Sequence, residues 1–289
     1  MEKYVFHQET CGTVLTIEVM DTKDPSVLIQ DCFSYVLHFE QQYSRFIPGN
    51  WLDKANTMQE TPIPLTDEAY TLLQFSLDLA AKTEWAFDPT IISALEACGY
   101  DHTYSFQKKA WGPMWYKHVE LKDHEMTLHD GVKIEFGWVG KWYLLDIVSY
   151  VLLNAGLKKF IIDFGGDIIA YGWYTIGLEN PFDLEQVIWT IVVDGFAVAS
   201  SNGKKRAAGD FHHLLDAYTG EPVRDIAGVY ISAANGLLAD AYSTAVFVSG
   251  AEKWKKLLAM TDDIRGLIVF SNWTYRKKEG YAWEVFSWE

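Results

Sequence analysis

Asp240 and Thr244 stand four residues apart in the stretch ADAYSTA, a carboxylate and a hydroxyl set among small and apolar residues. On a helix that spacing puts both on one face. Hard oxygen donors so placed suit Mg²⁺, which keeps several waters and takes further ligands from a substrate phosphate. The same residues also fit an ordinary helix, with Thr244 bonded back to the carbonyl of Asp240 and the acid favoured near the helix start. A second pair, Asp146 and Ser149, lies three residues apart in KWYLLDIVSY, with Lys141 at the head of that run. Asp146 could accept hydrogen bonds from a ligand's ribose or ring nitrogen, and Lys141 could meet a phosphate. As plain helix residues both would face water.

Other stretches offer less by themselves. In HHLLDAYTGEPV, residues 212–223, His212 and His213 are adjacent, so on a strand they face opposite sides. No HxxxH or HExxH supplies a zinc site. One histidine in so compact a polar turn could accept a proton or donate to a phosphate. The paired glycines of DFGGDI permit positive φ or close approach of a ligand, or simply a hairpin turn. In AFDPTI, Pro89 drives Asp88 into extended backbone, which suits either a helix entry with Asp88 as N-cap or a ligand at the exposed amides. Neither GxGxxG nor GxxxxGK[ST] occurs, which removes the main support for a Rossmann fold or a P-loop.

The elements that must carry these residues follow from periodicity. TVLTIEV alternates as a strand. DPSVLIQDCFSYVLHFEQQYSRF reads as a helix with Val27, Leu28, Cys32, Tyr35, Val36 and Phe39 on its buried stripe. TDEAYTLLQFSLDLAAKT is a helix capped by Thr66. KWYLLDIVSYVLLNAG is a helix closed by Gly156 and leads into the strand LKKFIIDF, then DIIAYGW. QVIWTIVVD, FAVASS and IAGVYISAA are further strands. NGLLADAYSTAVFVSG and AEKWKKLLAM are helices, and GLIVFS and GYAWEVFSW are expected to pair across the RKKEG turn. Strands in adjacent runs predict an α+β fold, with mixed, largely antiparallel sheets layered with helices. No linker or repeat divides residues 1–289, so one compact unit is expected.

Composition narrows the partners. The 289 residues include 24 basic and 39 acidic ones, a formal charge of −15, which repels nucleic acid and anionic lipid. Cys11, Cys32 and Cys98 form no CxxC and leave an odd count, which fits a reducing compartment. No signal peptide or 18-residue apolar run is present, so no transmembrane segment is expected; the chain as written reads as cytoplasmic, or extracytoplasmic if a leader has been removed.

Taken in order, these motifs resemble one family, the ApbE-type FAD:protein FMN transferases, once described as thiamine-biosynthesis lipoproteins. The resemblance runs through CGT at 11–13, YSRF at 43–46 with KAN at 54–56, FDPTIISALEACGY at 87–100 and GKWYLLD at 140–146. It continues through FGGDI at 164–168, ASSNG at 199–203, HLLDAYTGEP at 213–222 and ADAYSTA at 239–245. It implies that Asp240 and Thr244 bind Mg²⁺ together with the backbone carbonyl of Ser149. It also implies that Phe46, Ala86, Phe87, Asp88, Asp146 and Leu214 contact FAD, with Lys141 beside them in the same motif, and that His213 belongs to the catalytic loop. Departures from the pattern are Cys11, Trp142, Ser200-Ser201-Asn202, Ala217 and Cys98. The implied reaction passes FMN from FAD to a Ser or Thr of an acceptor protein and releases AMP. The same site could instead hydrolyse FAD to FMN and AMP, or hold FAD without chemistry.

Overall fold

The computed structural model describes residues 1–84, 86–97, 116–204, 207–208, 211–212, 214–216, 219, 221–278 and 284–285. His213, Cys98 and Ala217 lie outside the described residues. In chain order the elements are β1 (Glu2–Thr10), β2 (Thr13–Asp21), α1 (Ser26–Tyr43), α2 (Trp51–Thr57), β3 (Ile63–Pro64), α3 (Asp67–Lys82) and α4 (Ile92–Ala97). After them come β4 (Val119–Lys122), β5 (Glu125–Leu128), α5 (Gly137–Asn154), β6 (Phe160–Phe164), β7 (Ile168–Tyr171), β8 (Tyr174–Asn180) and β9 (Asp183–Val193). The remainder are β10 (Phe196–Asn202), β11 (Ala207–Ala208), β12 (Phe211–His212), β13 (Ile226–Ala233), α6 (Gly236–Val248), α7 (Gly250–Ala259), β14 (Ile264–Phe270), β15 (Tyr275–Lys277) and β16 (Glu284–Val285).

Eight strands form one sheet in the order β1-β2-β6-β7-β10-β13-β14-β15, and every neighbouring pair is antiparallel. The period-two alternation of its strands gives the sheet two apolar faces. Ala197, Ala199, Val229, Ile231 and Ala233 join the larger core, beneath the helices. Val198, Tyr230, Leu267 and Val269 point the other way and pack with Ile176, Leu178, Trp189 and Ile191 of the β8–β9 ribbon. The α+β expectation therefore holds, with helices on one face and a second, smaller sheet on the other.

α6 is the helix most enclosed by this arrangement. It lies on β10 and β13 and is flanked by α5 and α7. Its sequence is apolar nearly all round, the pattern of a helix buried on several sides. α3 starts as expected, with the Thr66 side chain accepting from the Ala69 amide at 3.1 Å. The β1–β2 connection is a two-residue turn with φ of 51° at Cys11 and 68° at Gly12, the pair of positive angles that matches strand twist.

Three expectations are corrected. Val27 is 79% exposed, because the buried stripe of α1 runs through Ile29, Cys32, Phe33, Val36 and Phe39. α5 begins at Gly137, four residues before Lys141, so that lysine sits in the second turn. GLIVFS pairs with β15, not with the terminal strand: Arg276 and Lys277 sit opposite Ile268 and Leu267. The turn comes earlier because the Asn272 side chain accepts from the Thr274 amide at 3.1 Å and Trp273 takes a φ of 66°. β16 pairs with β9 instead. Among the described residues no helix is long and apolar enough to cross a membrane.

Candidate functional site

The site is organised around the start of α6. Asn235 caps that helix, its side chain accepting from the Leu238 amide at 2.9 Å. The two preceding amides, of Gly236 and Leu237, donate to the carboxylate of Asp146 on α5 at 2.7 and 3.1 Å. Asp146 is thus no solvated surface acid. Burial pushes its pKa up, and the two amides pull it back down. One turn earlier on α5, Trp142 is fully buried. A Cβ built on Gly236 would fall 2.2 Å from Trp142 Cε3, so the indole occupies the space that a side chain on α6 would need. We expect Gly236→Ala to destabilise the fold by roughly 1–3 kcal/mol through overpacking, measured as a lowered melting temperature. An unchanged melting temperature would mean that the indole can step aside.

Further along α6, the hydroxyl of Thr244 is buried against β10. Ser201 Oγ lies 3.3 Å from Thr244 Oγ1 and 2.9 Å from Ser243 Oγ. It is Ser243, not Thr244, that bonds back to the Asp240 carbonyl, at 3.0 Å. Thr244 is left with its hydroxyl directed by Ser201, while the half-buried Asp240 stands one helical turn before it. Ser149 is buried on α5, which packs against α6, and its hydroxyl donates to the Asp146 carbonyl at 2.9 Å. These two packed helices carry a carboxylate (Asp240), a buried hydroxyl (Thr244) and the Ser149 backbone carbonyl, all oxygen groups. That set fits a hard divalent ion such as Mg²⁺.

A second anchor joins α5 to the paired-glycine bend between β6 and β7. Lys141 forms an ion pair with Asp167; their side chains are 17% and 6% exposed. Gly165 and Gly166 have φ of 70° and 90°. A Cβ on Gly165 would lie 2.6 Å from Thr13 Oγ1, so the bend presses against the start of β2. Next to it, Glu40 of α1 accepts from the Thr10 hydroxyl and the Cys11 amide, both at 2.7 Å. A continuous series of polar contacts and two helices therefore links the glycine bend, Asp167, Lys141, Asp146, the head of α6, Thr244 and Ser201. Burial also pushes the thiols of Cys11 and Cys32 up to about 11. Both should resist iodoacetamide near neutral pH in the native protein and react once it is unfolded in urea, as followed by peptide mass spectrometry. Rapid native labelling at Cys11 would contradict this.

The remaining sequence candidates fall on two loops and one hairpin. Phe46 is 38% exposed, and the Arg45 guanidinium lies 4.2 Å from its ring centroid. Ala86 is half-buried, and Phe87 and Asp88 are buried. Asp88 does not cap α4, which begins at Ile92. Its Oδ1 accepts from the Thr90 amide and hydroxyl at 2.8 and 2.6 Å, closing an Asx turn. Leu214 is buried, and its carbonyl accepts from the Val223 amide at 3.2 Å. His212 is structural: Nε2 donates to the Val223 carbonyl at 2.9 Å, and its ring meets Phe247 of α6 edge-on at 6.0 Å. Burial holds its pKa below the usual histidine value.

Comparison with known proteins decides the family. A model described as the ApbE family matches residues 11–268. The chain belongs to the ApbE family. This family member is 29% identical over 148 residues to an FAD:protein FMN transferase of Klebsiella pneumoniae, covering 49% of the chain and 47% of that protein. It is 26% identical to one from Rhodobacter capsulatus, covering 89% of the chain and 52% of that protein. A relative of the same name from Treponema pallidum is 25% identical, with 93% and 85% covered. The chain thus spans about half the length of the first two relatives. Its fold matches the crystal structure of the ApbE protein of Thermotoga maritima with a TM-score of 0.88 at 26% identity, covering 96% of this chain and 97% of that one. The apo flavinyl transferase ApbE of Pseudomonas stutzeri shares the fold with a TM-score of 0.82 at 20% identity, with 96% of each chain covered.

Sequence reasoning did not find Ser201, Asp167 and Gly236 as site-building residues. ASSNG and FGGDI marked their neighbourhoods, but nothing local names the partners they meet.

Proposed function

We propose that this ApbE-family chain transfers FMN from FAD to a Ser or Thr hydroxyl of an acceptor protein and releases AMP. Mg²⁺ would be held by Asp240, Thr244 and the Ser149 carbonyl. The observation that carries the reading is the α6 oxygen pair, with Thr244 directed by Ser201 and the helix start clamped by Asp146. It stands beside relatives named for this activity.

In the reaction the acceptor's hydroxyl oxygen attacks the FMN-side phosphorus of the FAD pyrophosphate. The P–O bond to the adenylate phosphate breaks, a phosphodiester to the acceptor forms, and AMP leaves. Bound Mg²⁺ supplies positive charge to the phosphoryl oxygens and to the leaving phosphate. Asp240 provides the negative charge that holds the cation in place. The Lys141–Asp167 pair accounts for one of three ammonium donors, leaving others for a phosphate. Phe46 offers a partly exposed aromatic face, and Ala86, Phe87, Asp88, Asp146 and Leu214 are proposed to complete the FAD-binding surface. His213 is proposed as the base that takes the hydroxyl proton.

The test is incubation with FAD, Mg²⁺ and an acceptor flavoprotein, with AMP measured by HPLC and the acceptor weighed by mass spectrometry. AMP together with an FMN-sized mass gain supports transfer. Free FMN and AMP without acceptor would make the chain a pyrophosphatase. Bound FAD with no AMP under any metal would make it a carrier.

A further inference from the structure

We infer that the buried ion pair between Arg45 and Glu135 is a positioning device that holds the FAD-binding surface in register; the inference rests on the FMN-transfer reading. Arg45 Nε lies 3.1 Å from Glu135 Oε2, and the two side chains are only 8% and 4% exposed. Neither residue is assigned any role above, yet between them they reach the Phe46 loop and the Asp88 turn, two of the segments proposed to line the flavin. Arg45 immediately precedes Phe46, and its guanidinium covers that ring at 4.2 Å. The Glu135 amide donates to the Pro89 carbonyl at 3.0 Å, so the same residue fixes the turn that carries Phe87 and Asp88. Glu135 also stands two residues before Gly137, the first residue of the helix that bears Lys141, Asp146 and Ser149.

The segment leading into that helix is held from a third side. Asn56 of α2 brackets Ile134, accepting from its amide at 2.8 Å and donating to its carbonyl at 2.9 Å. The backbone around Glu135 is therefore pinned on both sides, and its carboxylate reaches across to the loop after α1. Without Arg45 the Phe46 loop is still closed locally, by the Asn50 side chain on the Ser44 carbonyl at 2.7 Å. The ion pair ties that loop to the residue that holds the Asp88 turn.

A buried ion pair is a poor device for stability, because desolvating two charges offsets most of their attraction; an apolar pair of similar size serves as well or better. What the pair adds is a fixed distance between two loops, because the buried Arg45 Nε meets the buried Glu135 Oε2 at 3.1 Å. The expected signature separates those roles. Arg45→Met and Glu135→Met alone should each melt lower, since each leaves a buried charge without this partner. The double variant R45M/E135M should regain most of the melting temperature, while its KM for FAD stays raised on the order of 10-fold or more and kcat changes less. Binding of FAD, read by quenching of flavin fluorescence, should weaken in parallel. Arg45→Lys keeps the charge but carries it on a compact ammonium in place of the planar guanidinium, so the Nε–Oε2 contact is lost. It should raise the KM several-fold at nearly wild-type melting temperature, and it provides the test if the double variant does not fold. A double variant, or R45K, that melts like the wild type and also has its KM and FAD affinity would overturn the inference while leaving FMN transfer intact. A wild-type chain that neither binds FAD nor releases AMP would overturn both.

Discussion

Asp240→Asn is expected to remove FAD-dependent AMP release almost entirely while leaving the protein folded and still able to bind FAD weakly. The amide keeps the size and shape of the carboxylate but not its charge. Asp240 stands alone as the acid on its face of α6, one turn before Thr244, in the ADAYSTA run. In the proposed reaction, a chain with a formal charge of −15 would have to bring a dinucleotide pyrophosphate to an acceptor hydroxyl. It can do so only where a cation offsets the local repulsion, and Asp240 contributes the single formal negative charge of the proposed ligand set. The loss in AMP release should be on the order of 10³-fold, about 4 kcal/mol in the barrier. Thr244→Ala should cost less, because a neutral hydroxyl is lost and water can take its place. Ser201→Ala should cost less again, since it only frees the Thr244 hydroxyl from its 3.3 Å contact. HPLC of AMP at several Mg²⁺ concentrations ranks the three. Wild-type AMP release from the Asn variant would remove Asp240 from the site.

Asp146→Ala is expected to injure fold and activity together. Its two carboxylate oxygens each accept one amide from the first turn of α6, at 2.7 and 3.1 Å. Alanine leaves both amides without that acceptor in a half-buried place, at the helix end where a negative charge is most favourable. Unsatisfied donors of this kind cost about 1–3 kcal/mol each, so a loss of roughly 2–4 kcal/mol and a melting temperature lower by roughly 5–15 °C are expected. The head of α6 would then be free to shift against Trp142, and Asp240 and Thr244 would shift with it. AMP release should therefore fall further than the loss of folded protein explains. Asp146→Asn keeps one acceptor oxygen and should recover part of the stability. If D146A instead melts like the wild type and loses only FAD affinity, the carboxylate serves the ligand and not the helix.

Much of this protein is legible from the chain alone. The two periodicities, of strands and of helices, determine the α+β class. The four-residue step from Asp240 to Thr244 places them on one face because helix geometry is local. The ordered motifs from CGT to ADAYSTA point to the family without any coordinates. Element boundaries are less legible: Asn272 moves the last hairpin by a few residues, and α5 starts a turn early. Only the tertiary structure decides which partner each polar group meets. Thr244 finds Ser201, 43 positions away, and Asp146 finds the amide of Gly236, 90 positions away. Lys141 is taken by Asp167, Glu135 by Arg45, and His212 by the Val223 carbonyl. Those pairings depend on the register of an eight-stranded sheet and on how two helices cross above it. Neither leaves a trace in residue spacing, because contacts between distant segments are set by where the whole chain can bury its apolar faces, not by the residues next to them in sequence.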